Sequence, residues 1–341
     1  MFSRFHLVLM VTHACPLRCG YCYTGAKLSR RMSRETARTA LLRAIAALQP
    51  GGTLELGFFG GEPLLEAELI AEVVAEARAR TTAAGLGLQV GFTTSGTAGS
   101  ASAWSLLLDP GIDVALSHDG LPEVHDRHRV APDGRGSSAL TLATLRRMLE
   151  AGREVRVVVV VRPDTVERLP DGIAFLIGQG VRRFDLSLDL WTAWSAADGA
   201  RLENALDACA RSWAGGLPAV SINWLDESAA RLAGIPLGPT ARCGFGRGQV
   251  AVSPAGHLYP CERLIGEDAA NNPMRLCALG DVPDFLELVP RPAAPDSLCR
   301  CSNFVRSGDP ERPDALLRLA QALPLLVTAR ALNRRFPGRC P

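Results

Sequence analysis

The sequence carries no excess of charge of one sign. Its 37 Lys and Arg residues are matched by 35 Asp and Glu, a formal net charge of +2. No basic stripe runs along it. Pairs such as Arg30-Arg31, Arg146-Arg147 and Arg334-Arg335 stand apart and read as solvated helix faces. A nucleic-acid partner, which usually needs such a stripe, is not expected. No run approaches the ~20 apolar residues of a membrane span. The apolar stretch at residues 7–11 is too short for a signal-peptide core, and cysteines follow it at once. No membrane partner is expected, and the chain reads as cytoplasmic. Short internal repeats and low-complexity tracts are also missing. At 47% hydrophobic and 21% charged, the composition is ordinary for a globular protein. The length allows one large domain and a smaller one.

Cysteine, by contrast, is plentiful. The chain has ten, and in a reducing compartment, where disulfides are rare, such cysteines more often mean metal binding or catalysis. Around them the pattern is regular. Strands are expected at 5–11, 53–59, 88–94, 113–117, 155–161 and 184–190. Helices are expected between them, the first capped by Ser33 and ended by Pro50-Gly51-Gly52. Others fall at about 66–84, 101–108, 138–151 and 165–178, and residues 118–137 read as a long loop. The strand at 155–161 is almost pure valine, as suits burial on both faces of a parallel sheet. About six βα units predict an α/β fold, a partial (β/α)6 TIM-like barrel with its active site at the C-terminal strand ends. The rhythm stops after Trp194, and a helical stretch follows at about 196–213. A final helix is expected at 314–335, kinked at Pro324. We divide the chain into a barrel at 1–195, a helical connector at 196–240 and a small Cys-rich domain at 241–341.

The first cysteine cluster reads Cys15-Pro16-Leu17-Arg18-Cys19-Gly20-Tyr21-Cys22, directly after the first strand. Thiolates are the standard ligands of iron–sulfur clusters. Three on one tight loop can wrap three corners of a cubane and leave one iron open, as a catalytic zinc site keeps an open position. A structural zinc site is the alternative, with His13 as fourth ligand; three unrelated buried cysteines are another. Gly60-Gly61-Glu62-Pro63 follows the second strand. Its glycines let backbone approach a ligand closely, and Glu62 or a backbone carbonyl can accept from an ammonium.

This CxxxCxxC loop resembles the signature of the radical S-adenosylmethionine (radical SAM) superfamily, and Gly60, Gly61, Glu62 and Pro63 resemble its GGEP motif. The resemblance implies a [4Fe–4S] cluster on Cys15, Cys19 and Cys22, with S-adenosylmethionine (SAM) on the open iron. It implies that the GGEP segment contacts the methionyl amino group and that Tyr21 lies against the adenine. Thr94-Ser95-Gly96 stands where relatives often have Thr-Asn-Gly. Ser117-His118-Asp119-Gly120 is similar to Ser-Leu-Asp-Gly, which makes Ser117 a ribose contact. Reductive cleavage of SAM would then give a 5′-deoxyadenosyl radical, with a flavodoxin or ferredoxin as electron donor.

A second cluster lies near the C-terminus. Cys243 and Cys261 flank a hairpin with a Pro254-Ala255-Gly256 turn, and Cys299-Arg300-Cys301 adds two thiolates. Cys243-x12-Gly256-x4-Cys261 and Leu279-Gly280-Asp281-Val282 resemble the auxiliary-cluster domains called SPASM and twitch. The resemblance implies a second [4Fe–4S] cluster on Cys243, Cys261, Cys299 and Cys301. The closing CxC departs from the usual CxxC, so Cys277 or Cys340 can replace one ligand; structural zinc is the alternative. Cys209, amid alanines, reads as a buried apolar residue.

The segment from Leu121 to Arg129 with Asp133-Gly134 resembles a stretch of anaerobic sulfatase-maturating and peptide-modifying maturases, implying a peptide or protein substrate that is crosslinked, oxidised or epimerised. Glu262 follows Cys261 where those relatives place an aspartate base, and a desolvated Glu262 can fill that role; pairing with Arg263 is the other reading. With Cys15 so early, no leader-binding domain is expected before the barrel. Either a separate protein presents the peptide or the barrel mouth reads it directly. A small-molecule dehydrogenase and a non-catalytic metal-binding scaffold are the competing readings.

Overall fold

The structure, a computed structural model, describes residues 1–236, 245, 248–286, 288 and 299–337. Cys243 and Cys340 therefore lie outside the described residues. The chain forms two compact units. One contains residues 1–18, 22–115 and 244–293, the other 19–21, 116–243 and 294–341. This grouping runs across the linear division at 195 and 240.

In the first unit β1 (Phe2–Thr12) is followed by α1 (Arg34–Ala46), β2 (Leu48–Gly60), α2 (Ala67–Ala83), β3 (Gly87–Thr94), α3 (Ala101–Leu108) and β4 (Ile112–Ser117). β4 belongs to this unit through Ala115 and to the second from Leu116. Ser33 caps α1 as expected, its side chain accepting from the Thr36 amide. β1 and β2 pair in parallel, with Leu7 opposite Leu56 and Leu9 opposite Phe58. β2 and β3 continue the parallel sheet. Leu7, Leu9, Met10 and Val11 are fully buried, as a strand covered on both faces requires. The Pro50-Gly51-Gly52 segment does not end a helix. It lies inside β2, whose pairing with β1 reaches back to Leu48 opposite Phe2.

The second unit holds α4 (Pro122–His128), α5 (Ser138–Glu150), β5 (Arg156–Val161), α6 (Leu169–Gly178), β6 (Arg183–Leu188), α7 (Ala196–Gly216), β7 (Ser221–Ile222) and α8 (Asn223–Leu232). α4 is a helix inside residues 118–137, where the sequence predicts a loop. Pro122 at its N-terminus, where a missing N–H costs nothing, starts this short helix. β5, β6 and β7 pair in parallel, and Val157, Val159 and Val161 are buried on one face of β5.

The cysteine-rich hairpin, β8 (Gln249–Val252) and β9 (His257–Tyr259), joins the first unit. β8 pairs in parallel with β1, Leu7 opposite Val250, while β9 pairs antiparallel with β8 and with β10 (Cys277–Ala278). This places residues 249–278 in one sheet with the N-terminal strand. α9 (Arg300–Ser307) and α10 (Ala315–Arg335) belong to the second unit, where α10 packs on α7 and α8. By length and composition α10 is apolar enough to cross a membrane, with a mean hydropathy of 1.4 over 18 residues. Its buried residues include Leu316, Leu323, Val327 and Ala331.

Candidate active site

In the first unit, the cysteine loop leaves β1 beside the end of β2. Gly60 and Gly61 are required there by space. A Cβ on Gly61 would overlap the carbonyl oxygens of His13 and Ala14, and one on Gly60 would sit 2.5 Å from the Thr12 carbonyl oxygen. The Gly61 amide donates to the Thr12 carbonyl and the Glu62 amide to the Ala14 carbonyl, both at 2.9 Å. The GGEP turn is thus seated on the backbone from which the cysteine loop springs. Glu62 is fully buried, and its carboxylate is engaged within the chain. Oε1 accepts from Thr94 Oγ1 at 2.7 Å and from the Leu64 amide at 3.1 Å; Oε2 accepts from the Ser95 amide at 2.8 Å and Ser95 Oγ at 2.5 Å. The Thr94-Ser95 motif is therefore the partner of Glu62, which sequence reading missed, and the Ser95 hydroxyl makes one of its four bonds.

Cys15 accepts from the Leu17 amide at 3.4 Å. Cys22 accepts from Lys27 Nζ at 2.8 Å and lies 3.2 Å from Thr24 Oγ1. Burial pushes the Cys22 thiol up, but the Lys27 ammonium and the Thr24 contacts outweigh burial and hold it below the ordinary value. That chemistry suits a metal-binding thiolate, which must be deprotonated to ligate. His13, the candidate fourth zinc ligand, is fully buried, with Nε2 3.2 Å from the Gly266 carbonyl. Among the described residues, no three His, Cys, Asp or Glu side chains form a metal-binding group. The grouping of Cys15, Cys19 and Cys22 rests on their spacing along one loop.

The hairpin side of this unit holds Cys261, buried, and Glu262, which opens a short turn after β9 with Oε2 3.5 Å from Cys261 Sγ. Tyr23 stacks on Phe59 at 5.8 Å. Burial pushes its phenol up, Arg263 opposes this, and Glu262, Cys261 and Cys22 add to the rise. Asp268, missed in the sequence, anchors the hairpin by accepting from Ser253 Oγ and Tyr259 hydroxyl at 2.7 Å, with His257 Nδ1 at 2.9 Å. Cys277 lies on β10, half-buried.

In the second unit the apex of the loop, Cys19 to Tyr21, meets the segment after β4. Gly20 donates its amide to the His128 carbonyl at 2.9 Å, and Tyr21 donates its hydroxyl to Asp119 Oδ2. Arg129 grips the same carboxylate in a bidentate pair, Nε to Oδ2 at 2.9 Å and Nη2 to Oδ1 at 3.1 Å, and the Val160 amide donates to Oδ1 at 3.0 Å. Both partners are buried. Burial alone would push the Asp119 carboxyl up; the Arg129 guanidinium outweighs it and holds the group at about 2. The Tyr21 ring, half-buried, has the Arg129 and Arg162 guanidiniums 5.2 and 5.6 Å from its centroid. Arg162 in turn pairs with Asp189 and Asp164. Ser117, the last residue of β4, is buried. Gly120 at φ 97° approaches Gly172 so closely that a Cβ would lie 2.6 Å from its Cα. Cys299 and Cys301 are brought together, Sγ to Sγ 3.2 Å, and Ser302 Oγ donates to Cys299 at 3.1 Å. Arg306 fastens their helix to the carbonyls of Leu190 and Thr192, at 3.0 Å each.

His118 and His125 are fully buried with ring centroids 4.1 Å apart. Each Nδ1 accepts a backbone amide (Gly120 at 3.2 Å, Asp119 at 3.3 Å), and each Nε2 meets a serine hydroxyl, Ser138 at 3.0 Å or Ser137 at 2.9 Å. Burial pushes His118 down to about 4. Burial, then the charges of His118 and Arg129, pushes His125 down to about 2. Unfolded histidine titrates near 6.5, so from about pH 6.5 to 4 the unfolded chain binds protons that the fold refuses. Stability therefore falls as pH falls, by ~1.4 kcal/mol per pH unit for each ring. Asp119 adds a loss of the same sign from about pH 4 towards 2. Urea unfolding at pH 5 is expected to give ~3–4 kcal/mol less stability than at pH 7, with about half of that slope gone in His125→Gln. A flat profile would mean that the rings titrate normally.

The sequence pattern of the Radical SAM superfamily matches residues 9–189. The chain is 26% identical to a PqqA peptide cyclase of Methylobacterium nodulans over 268 residues, 75% of this chain and 66% of that protein. It spans 66% and 49% of the lengths of the first two curated relatives. Among solved structures it is similar to native anSMEcpe with bound AdoMet and Cp18Cys peptide, with a TM-score of 0.74, 19% identity and 97% of each chain covered. It is also similar to SuiB of Streptococcus suis bound to precursor peptide SuiA, with a TM-score of 0.61, 16% identity, and 92% of this chain and 76% of that one covered. These likenesses bear out the α/β, partial-barrel fold class expected from the sequence.

Proposed function

Because the chain belongs to the radical SAM superfamily, we propose that it modifies a side chain of a peptide or protein, using SAM and a [4Fe–4S] cluster held by Cys15, Cys19 and Cys22. The observation that carries this reading is the seating of Gly60-Gly61 on the Thr12–Ala14 backbone, at the root of the three-cysteine loop. Held by Cys15, Cys19 and Cys22, such a cluster would supply the one-electron reduction that opens SAM to hydrogen-atom chemistry on the substrate. The chain's own residues bind and orient. With four bonds to its carboxylate, Glu62 holds the GGEP turn of Gly60, Gly61 and Pro63, so backbone carbonyls there accept from the methionyl ammonium. Tyr21 and Ser117 contact the nucleoside. Glu262 serves as base in the hairpin. Cys243, Cys261, Cys299 and Cys301 hold a second [4Fe–4S] cluster, with Cys277 and Cys340 as substitutes.

The peptide substrate is supported by the names of the relatives, peptide cyclases among them, and by the peptides bound in the similar solved structures. Crosslinking, oxidation or epimerisation are the modifications proposed. A flavodoxin or ferredoxin is the proposed electron donor, a separate protein can present the leader of the substrate, and the setting is cytoplasmic. The test is anaerobic reconstitution followed by SAM, dithionite and a candidate precursor peptide. Formation of 5′-deoxyadenosine and a mass change in the peptide are expected, with about eight irons per chain for two cubanes. Bound zinc and no 5′-deoxyadenosine would sink the enzyme reading in favour of a metal-binding scaffold.

A further inference from the structure

We propose that Lys27 sets the reduction potential of the cluster bound at Cys22, by donating a hydrogen bond from its ammonium to the Cys22 thiolate. This rests on the ligand role assigned above to Cys15, Cys19 and Cys22. Lys27 lies five residues beyond Cys22. Its Nζ is 2.8 Å from Cys22 Sγ and 2.5 Å from Thr24 Oγ1, and that hydroxyl is 3.2 Å from the same sulfur. Cation, hydroxyl and sulfur close a triangle. Thr24 is buried and Lys27 half-buried, so the contact is partly shielded from water. The segment that carries Lys27 is held from outside. The Ala26 amide donates to Glu267 Oε1 at 2.9 Å, Arg30 donates to the Glu267 carbonyl at 2.9 Å, and a Cβ on Gly25 would run into the Glu267 side chain. The fold directs the ammonium at the sulfur.

A cysteine sulfur bound to iron shares the electron that a cluster takes up. A hydrogen bond from a cation grows stronger as that sulfur becomes more negative, so it favours the reduced form. Hydrogen bonds to the sulfurs and local charge are among the factors that set cluster potentials, and charge-assisted bonds are about twice as strong as neutral ones. Lys27 would thus ease the transfer of one electron from a low-potential donor into the cluster.

The experiment is a redox titration of anaerobically reconstituted protein, followed by the electron paramagnetic resonance signal that changes when SAM is added. In Lys27→Met the ratio of reduced to oxidised cluster at a fixed ambient potential is expected to fall about tenfold, equivalent to 59 mV for a one-electron couple. Lys27→Arg, which keeps charge and donor, is expected to stay within about twofold of the parent. Iron content should match the parent in both. Equal ratios in Lys27→Met and parent, with the cluster present, overturn the proposal and leave the ligand assignment standing. If Lys27→Met does not hold iron, Lys27→Gln, which keeps a donor without the charge, is read in its place against the same expectation of a lowered ratio. Loss of the cluster from both overturns the proposal too, since the lysine would then retain iron rather than set its potential. If the parent gives no SAM-responsive signal, the ligand assignment fails and the proposal with it.

Discussion

Replacing Cys19 with alanine is expected to abolish formation of 5′-deoxyadenosine from SAM, while replacing Cys209 leaves it intact. The two residues differ in surroundings, not in type. Cys19 is half-buried at the apex of the loop that follows β1, one residue from the Gly20 amide that donates to His128. Removing its sulfur leaves two thiols on that loop, and a cubane gripped at two corners has lost a third of its protein ligands. Cys209 is buried within α7, and burial pushes its thiol up to about 12. Such a thiol is inert and acts as a small apolar filler. Its loss is expected to cost ~1 kcal/mol of stability and no chemistry. Liquid chromatography of quenched anaerobic reactions, beside iron analysis of both variants, checks the contrast. A Cys19→Ala protein that still cleaves SAM at the parent rate would refute the ligand assignment.

Arg129→Met is expected to be among the most destabilising single changes in the second unit, at ~3–5 kcal/mol. The guanidinium makes two of the bonds to Asp119 and supplies the opposing charge in a site where both groups are buried. Without it the carboxylate keeps the Tyr21 hydroxyl and the Val160 amide as donors, and a buried charge without its counter-ion is costly. Combining Arg129→Met with Asp119→Asn should recover part of the loss, because an intact buried pair often adds little net stability over a neutral replacement. Thermal unfolding should show the single variant lowered by about 10 °C and the double variant between it and the parent. Additive losses would mean that the two side chains do not depend on each other.

Much of the fold was legible because it rests on local pattern. The valine-rich stretch expected as a strand at 155–161 became β5 (Arg156–Val161), Ser33 capped α1, and 101–108 became α3 with unchanged ends. Errors arose where a distant partner overrode local chemistry. Pro50-Gly51-Gly52 reads as a breaker, yet pairing with β1 carries β2 through it. The hairpin at 249–259 was visible from its turn, but nothing in Val250-Ala251-Val252 announces a parallel partner at the other end of the chain. The site shows the same limit. Glu62, Thr94, Ser95, Asp119 and Arg129 all stood in motifs that could be singled out, whereas the bonds joining Glu62 to Ser95 and Asp119 to Arg129 are facts of packing. Their signal was weak but present: a charged residue in a run that otherwise becomes buried needs a partner.

The parallel ladder between β1 and β8 also bears on biosynthesis. His6 and Gln249 are neighbours in the sheet yet about 240 residues apart in the chain. At ~5–20 residues per second of synthesis, β1 waits on the order of ten to fifty seconds for that flank to be covered. Throughout that interval a strand of Leu7, Leu9, Met10 and Val11 offers an unpaired rim to any other nascent chain. Productive yield in the cell should accordingly depend on ribosome speed and on chaperones that shield emerging apolar segments, and slower translation lengthens the period of risk.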